Sequence, residues 1–340
     1  MESLIPAVMA QDADGGFREL VVEQVNQVEA IASMVPGCQP AADDKAGTNI
    51  IVFVVQNSVT LRALNTALYL ARPGRDRLHL VTVVASGLAI SQGQQLLAEY
   101  QRIATRSMMD KVSPVVLVRS TAGLLDAMEK YVVEVALSGN NAMVVMGSAQ
   151  ITSSGIDSAM GSVTLAFVRR MVGLPVIVVT QNSRNSPGPA SKGLRVMLNV
   201  EPHARALLAM VCTRLLAPRG RADQLLLAQA SVQRNLTRQQ AANNRRLFDN
   251  FAHLARAHGC PAVRTYHLEG QADEALTAAS DEYGVGLVAL QLPTGSRGLA
   301  PSLLALIRSC RGGALVFQEA TAGDKSAILT QFKEQERKSD

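Results

Sequence analysis

The chain has no tryptophan, and only seven phenylalanines and five tyrosines in 340 residues. Nearly half of its residues are nevertheless apolar, so its cores must be built from aliphatic side chains, as suits buried parallel strands covered by helices. Its four cysteines, Cys38, Cys212, Cys260 and Cys310, stand far apart, with no Cys-x-x-Cys pair and no histidine cluster beside them. That spacing argues against a disulfide framework or a zinc site and leaves buried free thiols as the expectation. No apolar run approaches the roughly 18 residues needed to span a bilayer, so no membrane partner is expected. The opening Met1-Glu2-Ser3-Leu4-Ile5-Pro6 lacks the basic and apolar regions of a secretory signal. A cytoplasmic protein, with cytoskeletal association as one option, is the expectation. Absent as well are a Gly-x-Ser-x-Gly elbow, a His-Glu-x-x-His pair and a Walker A lysine. No catalytic residue and no metal ligand is therefore nominated, although a weak ATPase stays open.

What is present is unevenly charged. Residues 1–47 hold two basic and eight acidic groups, residues 48–180 eleven and seven, and residues 192–319 fifteen and nine. An acidic leader thus precedes two basic segments, which could meet an acidic partner or a phosphate ligand. Within the leader, Phe17, Val21, Val28, Ile31 and Val35 fall on one stripe of a helix over about 17–35 that Pro36-Gly37 ends. Such a stripe must bury itself on its own domains or on another protein. The tail over about 320–340 carries Ile328, Leu329 and Phe332 among charges and could form a short docking helix. Protein partners are expected at both ends.

Between these ends one pattern occurs twice. Asn49–Gln56 is a β-branched run ending in polar residues, followed by a helical stretch with Leu61, Leu64, Leu68 and Ala71 on one face. Strands at 78–84, 115–118, 142–146 and 175–179 then alternate with helices near 91–111, 122–136 and 161–172. Residues 181–192, rich in Ser, Asn, Pro and Gly, read as an exposed linker. Strands follow at 194–200, 224–228, 262–267, 287–291 and 314–317, with helices near 203–216, 233–258, 271–283 and 300–309. The fold class is α/β: two tandem, doubly wound, Rossmann-like sheets of five parallel strands flanked by helices, with a helical N-terminal extension. The domains are 48–180 and 193–319.

Three stretches of the first copy carry a family resemblance: Arg77–Val84, Met143–Ser148 and above all Met160–Val179. Over 48–180 the chain resembles the universal stress protein family; over 193–319 it follows the family in the order of its elements. The resemblance implies that the two domains pair through their fifth strands as an internal pseudo-dimer, with Val176–Val179 near Leu315–Phe317. It also implies a place for ATP or AMP. Family members that bind ATP use Gly-x-x-Gly, nine residues, then Gly-Ser or Gly-Thr, since glycines let backbone approach phosphate and a helix N-terminus supplies donors. Gly147 matches the first glycine, and Gly161 with Ser162 matches the closing pair; amides near Ser162 and Val163 could hold an anion. Gln150 replaces the second glycine, the loop is one residue longer, and Gln56 stands where the family places an aspartate. The bland alternative is that Gly147 ends a strand and Ser162 caps a helix. In the second copy Gly295-Ser-Arg-Gly298 keeps the first half of the motif and no Gly-Ser pair follows, which favours a plain tight turn.

Two functions stay open. One is a non-enzymatic structural component of a larger assembly; the resemblance extends this to cytoskeletal structures, including axonemes. The other is an adenine-nucleotide-binding stress regulator using Gln56, Gly147, Gly161, Ser162 and Val163. The five histidines, His79, His203, His253, His258 and His267, read as structural. Arg234, Arg238, Arg245 and Arg246 on the long helix of copy two read as a solvated face or a patch for an acidic partner. Without interleaved aromatics they make no nucleic-acid platform.

Overall fold

The computed structural model describes residues 47–119, 123–139, 141–148, 162–184, 193–216, 222–231, 237–260, 262–293 and 300–320. The expected leader helix, the tail beyond Ala320, Cys38, Gln150, Gly161, Arg234 and the Gly295–Gly298 turn lie outside them. Among the described residues no helix is long and apolar enough to cross a membrane.

The run Asn49–Phe53 forms β1, and its apolar residues are buried, as a central parallel strand requires. The first copy continues through α1 (Ser58–Leu70), β2 (Arg77–Val84), α2 (Ile90–Arg106), β3 (Val112–Val118), α3 (Leu124–Gly139), β4 (Ala142–Ser148), α4 (Ser162–Arg170) and β5 (Val176–Thr180). The second copy repeats the order with β6 (Arg195–Asn199), α5 (Arg205–Met210), β7 (Gln224–Ser231), α6 (Arg238–Ala257), β8 (Val263–Glu269), α7 (Ala272–Glu282), β9 (Leu287–Leu292), α8 (Pro301–Ser309) and β10 (Gly313–Gln318). The helix expected over 203–216 is shorter than its apolar pattern: α5 gives way at Val211 to a π turn through Leu215.

Each copy is doubly wound, and the two sheets are one. The strands lie in the order β3-β2-β1-β4-β5-β10-β9-β6-β7-β8, ten in a single sheet. Neighbours are parallel within each copy, and β5 meets β10 antiparallel, with Val176 opposite Val316, Ile177 opposite Leu315 and Val178 opposite Ala314. Side chains of β1 alternate between two layers. One layer holds Ile50, Leu64, Leu97, Leu198 and Phe251, with Ile177 and Leu315 at the seam; the other holds Ile51, Val132, Phe167, Val288 and Ile307, with Val176 and Val316 at the seam. Both layers of core thus run through the seam without interruption. Cys212, Cys260 and Cys310 are buried free thiols in these layers.

The seam is also stitched by polar contacts. Ser183, at 2 % exposure, donates to the Gly312 carbonyl at 3.1 Å, and the Arg184 amide donates to Arg311 O at 2.7 Å. Asn182 Nδ2 donates to Arg308 O at 3.0 Å, and Arg62 donates to the carbonyls of Gln181 and Ser183. Residues 182–184 of the segment read as a linker are therefore part of the domain junction: the side chains of Asn182 and Ser183 and the backbone amide of Arg184 satisfy carbonyls at the end of α8 and just before β10.

A second signature of the repeat emerges at the amino ends of the strands. Thr48 N donates to Asp76 Oδ1 at 2.8 Å, and Leu194 N donates to Asp223 Oδ1 at 2.6 Å. Both aspartates are almost fully buried. Gly47 and Gly193 precede these amides, and a Cβ on either would fall 1.9 Å from Arg75 O or 2.3 Å from Ala222 O. Gly-x at the head of the first strand and Asp at the head of the second thus lock each copy in the same way.

Candidate functional site

In a doubly wound sheet the ligand crevice lies beyond the carboxyl ends of the strands where their order reverses. Here that is between β1 and β4 in copy one, and between β6 and β9 in copy two.

In copy one, Val54 N donates to Val81 O, and the chain then turns outward at Val55 and Gln56, both exposed. Asn57 caps α1: its Oδ1 accepts from Thr60 N at 2.8 Å and from Thr60 Oγ1 at 2.9 Å. One of the helix's free amides is thus held by its own cap. Gly147, next to last in β4, faces this turn. A Cβ there would lie 3.1 Å from the Val59 carbonyl carbon and 3.2 Å from Thr60 N, so the missing side chain lets the start of α1 sit against β4. Across the crevice, Thr164 Oγ1 in the first turn of α4 donates to Gly147 O at 3.4 Å. Gln56, Gly147 and the Ser162–Val163 helix start are therefore brought to one end of the β1–β4 pair, and Gly161 falls outside the described residues. Val55 at 50 % exposure and Val163 at 37 % supply apolar surface at this end. No carboxylate ends β1, and no group of three or more His, Cys, Asp or Glu able to hold a metal occurs among the described residues.

Copy two differs at one decisive position. Thr48 and Leu194 make the same contact with the buried aspartate, so Val52 corresponds to Leu198. Val52 lies opposite Val145, and Leu198 opposite Ala289. Two residues on, Gly147 therefore corresponds to Gln291. The Gln291 side chain is buried and its Oε1 accepts from Leu207 N, in the first turn of α5, at 3.1 Å. The crevice is filled further by His203, whose Nε2 lies 3.3 Å from Gln291 O and 3.2 Å from Glu201 Oε2, while Asn199 Nδ2 donates to Glu201 Oε1 at 2.7 Å. Where Gly147 lets the start of α1 close on β4, a glutamine side chain thus stands in copy two and takes a helix N-terminal donor for itself. Nothing in the sequence pattern singles out Gln291, whose correspondence with Gly147 becomes visible only once the two registers are superimposed.

The histidines occupy unrelated places. His79 is inside β2 between Tyr131 Oη at 2.8 Å and Asn49 Oδ1 at 3.1 Å. His267 packs edge-on against Phe248 at 4.5 Å between ring centres, and burial lowers His258 below the usual imidazole range.

No protein-family model matches the chain, and no curated protein matches it in sequence. Solved structures do match. A protein assigned as a universal stress protein from Pseudomonas aeruginosa aligns over 86 % of this chain and 98 % of its own, with a TM-score of 0.54 and 14 % identity. The fold is that of the universal stress proteins. A universal stress protein from Archaeoglobus fulgidus aligns over 80 % of this chain and 96 % of its own (TM-score 0.53, 13 % identity). A functionally unknown protein from Pseudomonas aeruginosa aligns over 86 % and 98 % (TM-score 0.51, 14 % identity). Each alignment covers most of both copies, so the universal stress protein fold is present in tandem, as the sequence pattern implies.

Proposed function

We propose that this protein binds rather than catalyses, as an asymmetric tandem in which only copy one takes a ligand, an adenine nucleotide, at the β1–β4 crevice. The observation that carries this reading is the pair Gly147 and Gln291 at one register: at the first the absent side chain lets the start of α1 close on β4, and at the second a glutamine side chain stands there and takes up a helix N-terminal amide. Support comes from the switch-point position, the apolar surface of Val55 and Val163, and the start of α4 at the same end of β4, since a helix N-terminus favours an anion. Copy two then serves as a rigid partner and a surface for other proteins.

The test is calorimetric titration of ATP and AMP, with magnesium, into the protein and into Gly161→Trp and Gln291→Gly variants. The expectation is one site per chain, lost in Gly161→Trp and retained in Gln291→Gly. Two equal sites in the parent would contradict the asymmetry, and an absence of heat in every sample would remove the nucleotide. A second reading is then favoured by Asn57, which caps α1 internally, and by Gln56, which leaves the end of β1 without a carboxylate. In that case both copies are scaffold, and a cytoskeletal or axonemal assembly is the setting implied by resemblance alone.

A further inference from the structure

The two outer strands of the sheet are β3 and β8. In a parallel pair each residue turns its N–H and C=O toward the same neighbour, and successive residues alternate. Leu225 N donates to Ala262 O at 2.8 Å, which assigns Ala262, Arg264, Tyr266 and Leu268 to the ladder with β7. The N–H and C=O groups of Val263, Thr265 and His267 therefore point away from the sheet. At the other end Leu78 N donates to Lys111 O at 2.9 Å, so Val112, Pro114, Val116 and Val118 turn outward. Pro114 has no N–H, and sits where it breaks the outward row without weakening the β2–β3 ladder, a common way to blunt an edge. Leu78 lies opposite Val112 and Leu225 opposite Val263, so Thr265 holds the position of Pro114. One end of the sheet lacks an outward donor in the middle of its edge, and at the other the corresponding donor is kept.

A groove of about 660 Å³ follows this second edge, walled by Asp249, His253 and Arg256 of α6 and by Val263, Arg264 and Tyr266 of β8. Successive residues of a strand face opposite sides, and residues 263–266 all line the groove, so it lies on the strand's edge and not on one face. Arg256 and Arg264 are exposed, and neither is paired with a carboxylate among the described residues. Arg245 and Arg246 are exposed further along the same helix. Asp249 is the single carboxylate of the groove, so its balance is positive.

We propose that the β8 edge is a docking site for an extended, acidic segment of a partner protein, which adds as a strand beside Val263–His267 and sets its carboxylates against Arg256 and Arg264. Main-chain hydrogen bonds give such docking its affinity and alternate side chains its selectivity. A second copy of this chain, pairing β8 to β8, would bring two sets of these arginines together, so charge favours an acidic partner over self-association.

The probe is a fluorescein-labelled peptide of alternating Glu and Val or Thr, read by anisotropy with the full chain. A Lys-for-Glu peptide and a peptide N-methylated at alternate residues serve as controls. Saturable binding of the Glu peptide that weakens as salt is raised is expected. Thr265→Pro is expected to weaken it at least about tenfold, through the lost donor and the ring in the edge. Arg264→Glu is expected to weaken it by a similar factor, and Arg106→Glu on copy one to leave it unchanged. The fold already accommodates proline at the matching position of copy one; should Thr265→Pro nevertheless fail to fold, the N-methylated peptide poses the same question from the ligand's side. No binding of the Glu peptide at millimolar concentration, equal binding of the Lys or N-methylated peptide, or a β8-dependent dimer that excludes peptide would each overturn the proposal.

Discussion

His79 is a buried imidazole in the middle of β2, and a strand interior is a costly place for a charge. Burial, and then the Arg77 guanidinium nearby, push its pKa down from the usual 6.5 to about 4. The neutral ring suits its neighbours, donating from Nε2 to Asn49 Oδ1 and accepting at Nδ1 from the Tyr131 hydroxyl. Since the folded-state pKa lies below the unfolded one, the unfolded chain binds the proton more readily. The stabilising effect of a neutral His79 is complete above 6.5 and is lost as the pH falls toward about 4. That loss is on the order of 2 kcal/mol after solvent screening. Urea unfolding of the parent across this range is expected to show the decline, and His79→Gln to flatten it; an unchanged acid limb in the variant would assign the decline to other groups. The sequence located His79 within a strand and read it as structural, but its partners come from β1 and α3, so its protonation was not legible there. Asp76 and Asp223 were missed altogether, because a single Asp before an apolar run looks like an ordinary turn residue until its amide partner 28 or 29 residues away is known.

Strands and helices were read well where the apolar period is strong. β1, β4, β6 and β9 are buried on both faces, so their sequences are nearly unbroken apolar runs that the periodicity rules recognise. Edges of the sheet were read less well: the pattern places a strand at 115–118, and β3 begins at Val112, since half-exposed residues at an outer strand carry a mixed pattern. The interplay of Gly147 with α1 belongs to this level too. Gly147→Ala would place a Cβ 3.1 Å from the Val59 carbonyl carbon and force α1 to shift. A destabilisation of about 1–2 kcal/mol is expected in urea unfolding. The reverse change, Gln291→Gly, leaves Leu207 N uncapped over a void and is expected to cost about 2 kcal/mol. If either variant matched the parent, the packing of the first turn of that helix on its strand would not be what holds it in place.

Across the full sheet, the two copies share both layers of core through β5 and β10. The described residues of the two copies accordingly form one compact unit. Ile177 and Leu315, opposite each other at the seam, are completely buried. Ile177→Ala or Leu315→Ala is expected to lower stability by about 2–5 kcal/mol. Because the seam belongs to both copies, calorimetry is expected to record a single transition moving to lower temperature in each variant. A trace that split into two transitions, only one of them shifted, would mean that the copies unfold independently and that the seam is a contact rather than a core.

The α/β class, the tandem repeat and the order of elements followed from local causes: the length of each apolar run, its period, and the Gly, Pro and Asn residues between runs are written in neighbouring positions. The candidate crevice was legible only in part, through Gly147, Gly161 and Ser162, because a glycine motif reports where backbone comes close but not what comes close to it. The asymmetry of the two crevices, the stitched junction at Ser183 and the difference between Pro114 and Thr265 at the sheet's two ends were decided by tertiary structure. Each depends on which strand lies beside which and in what register, and those distances in space have no counterpart in distance along the chain.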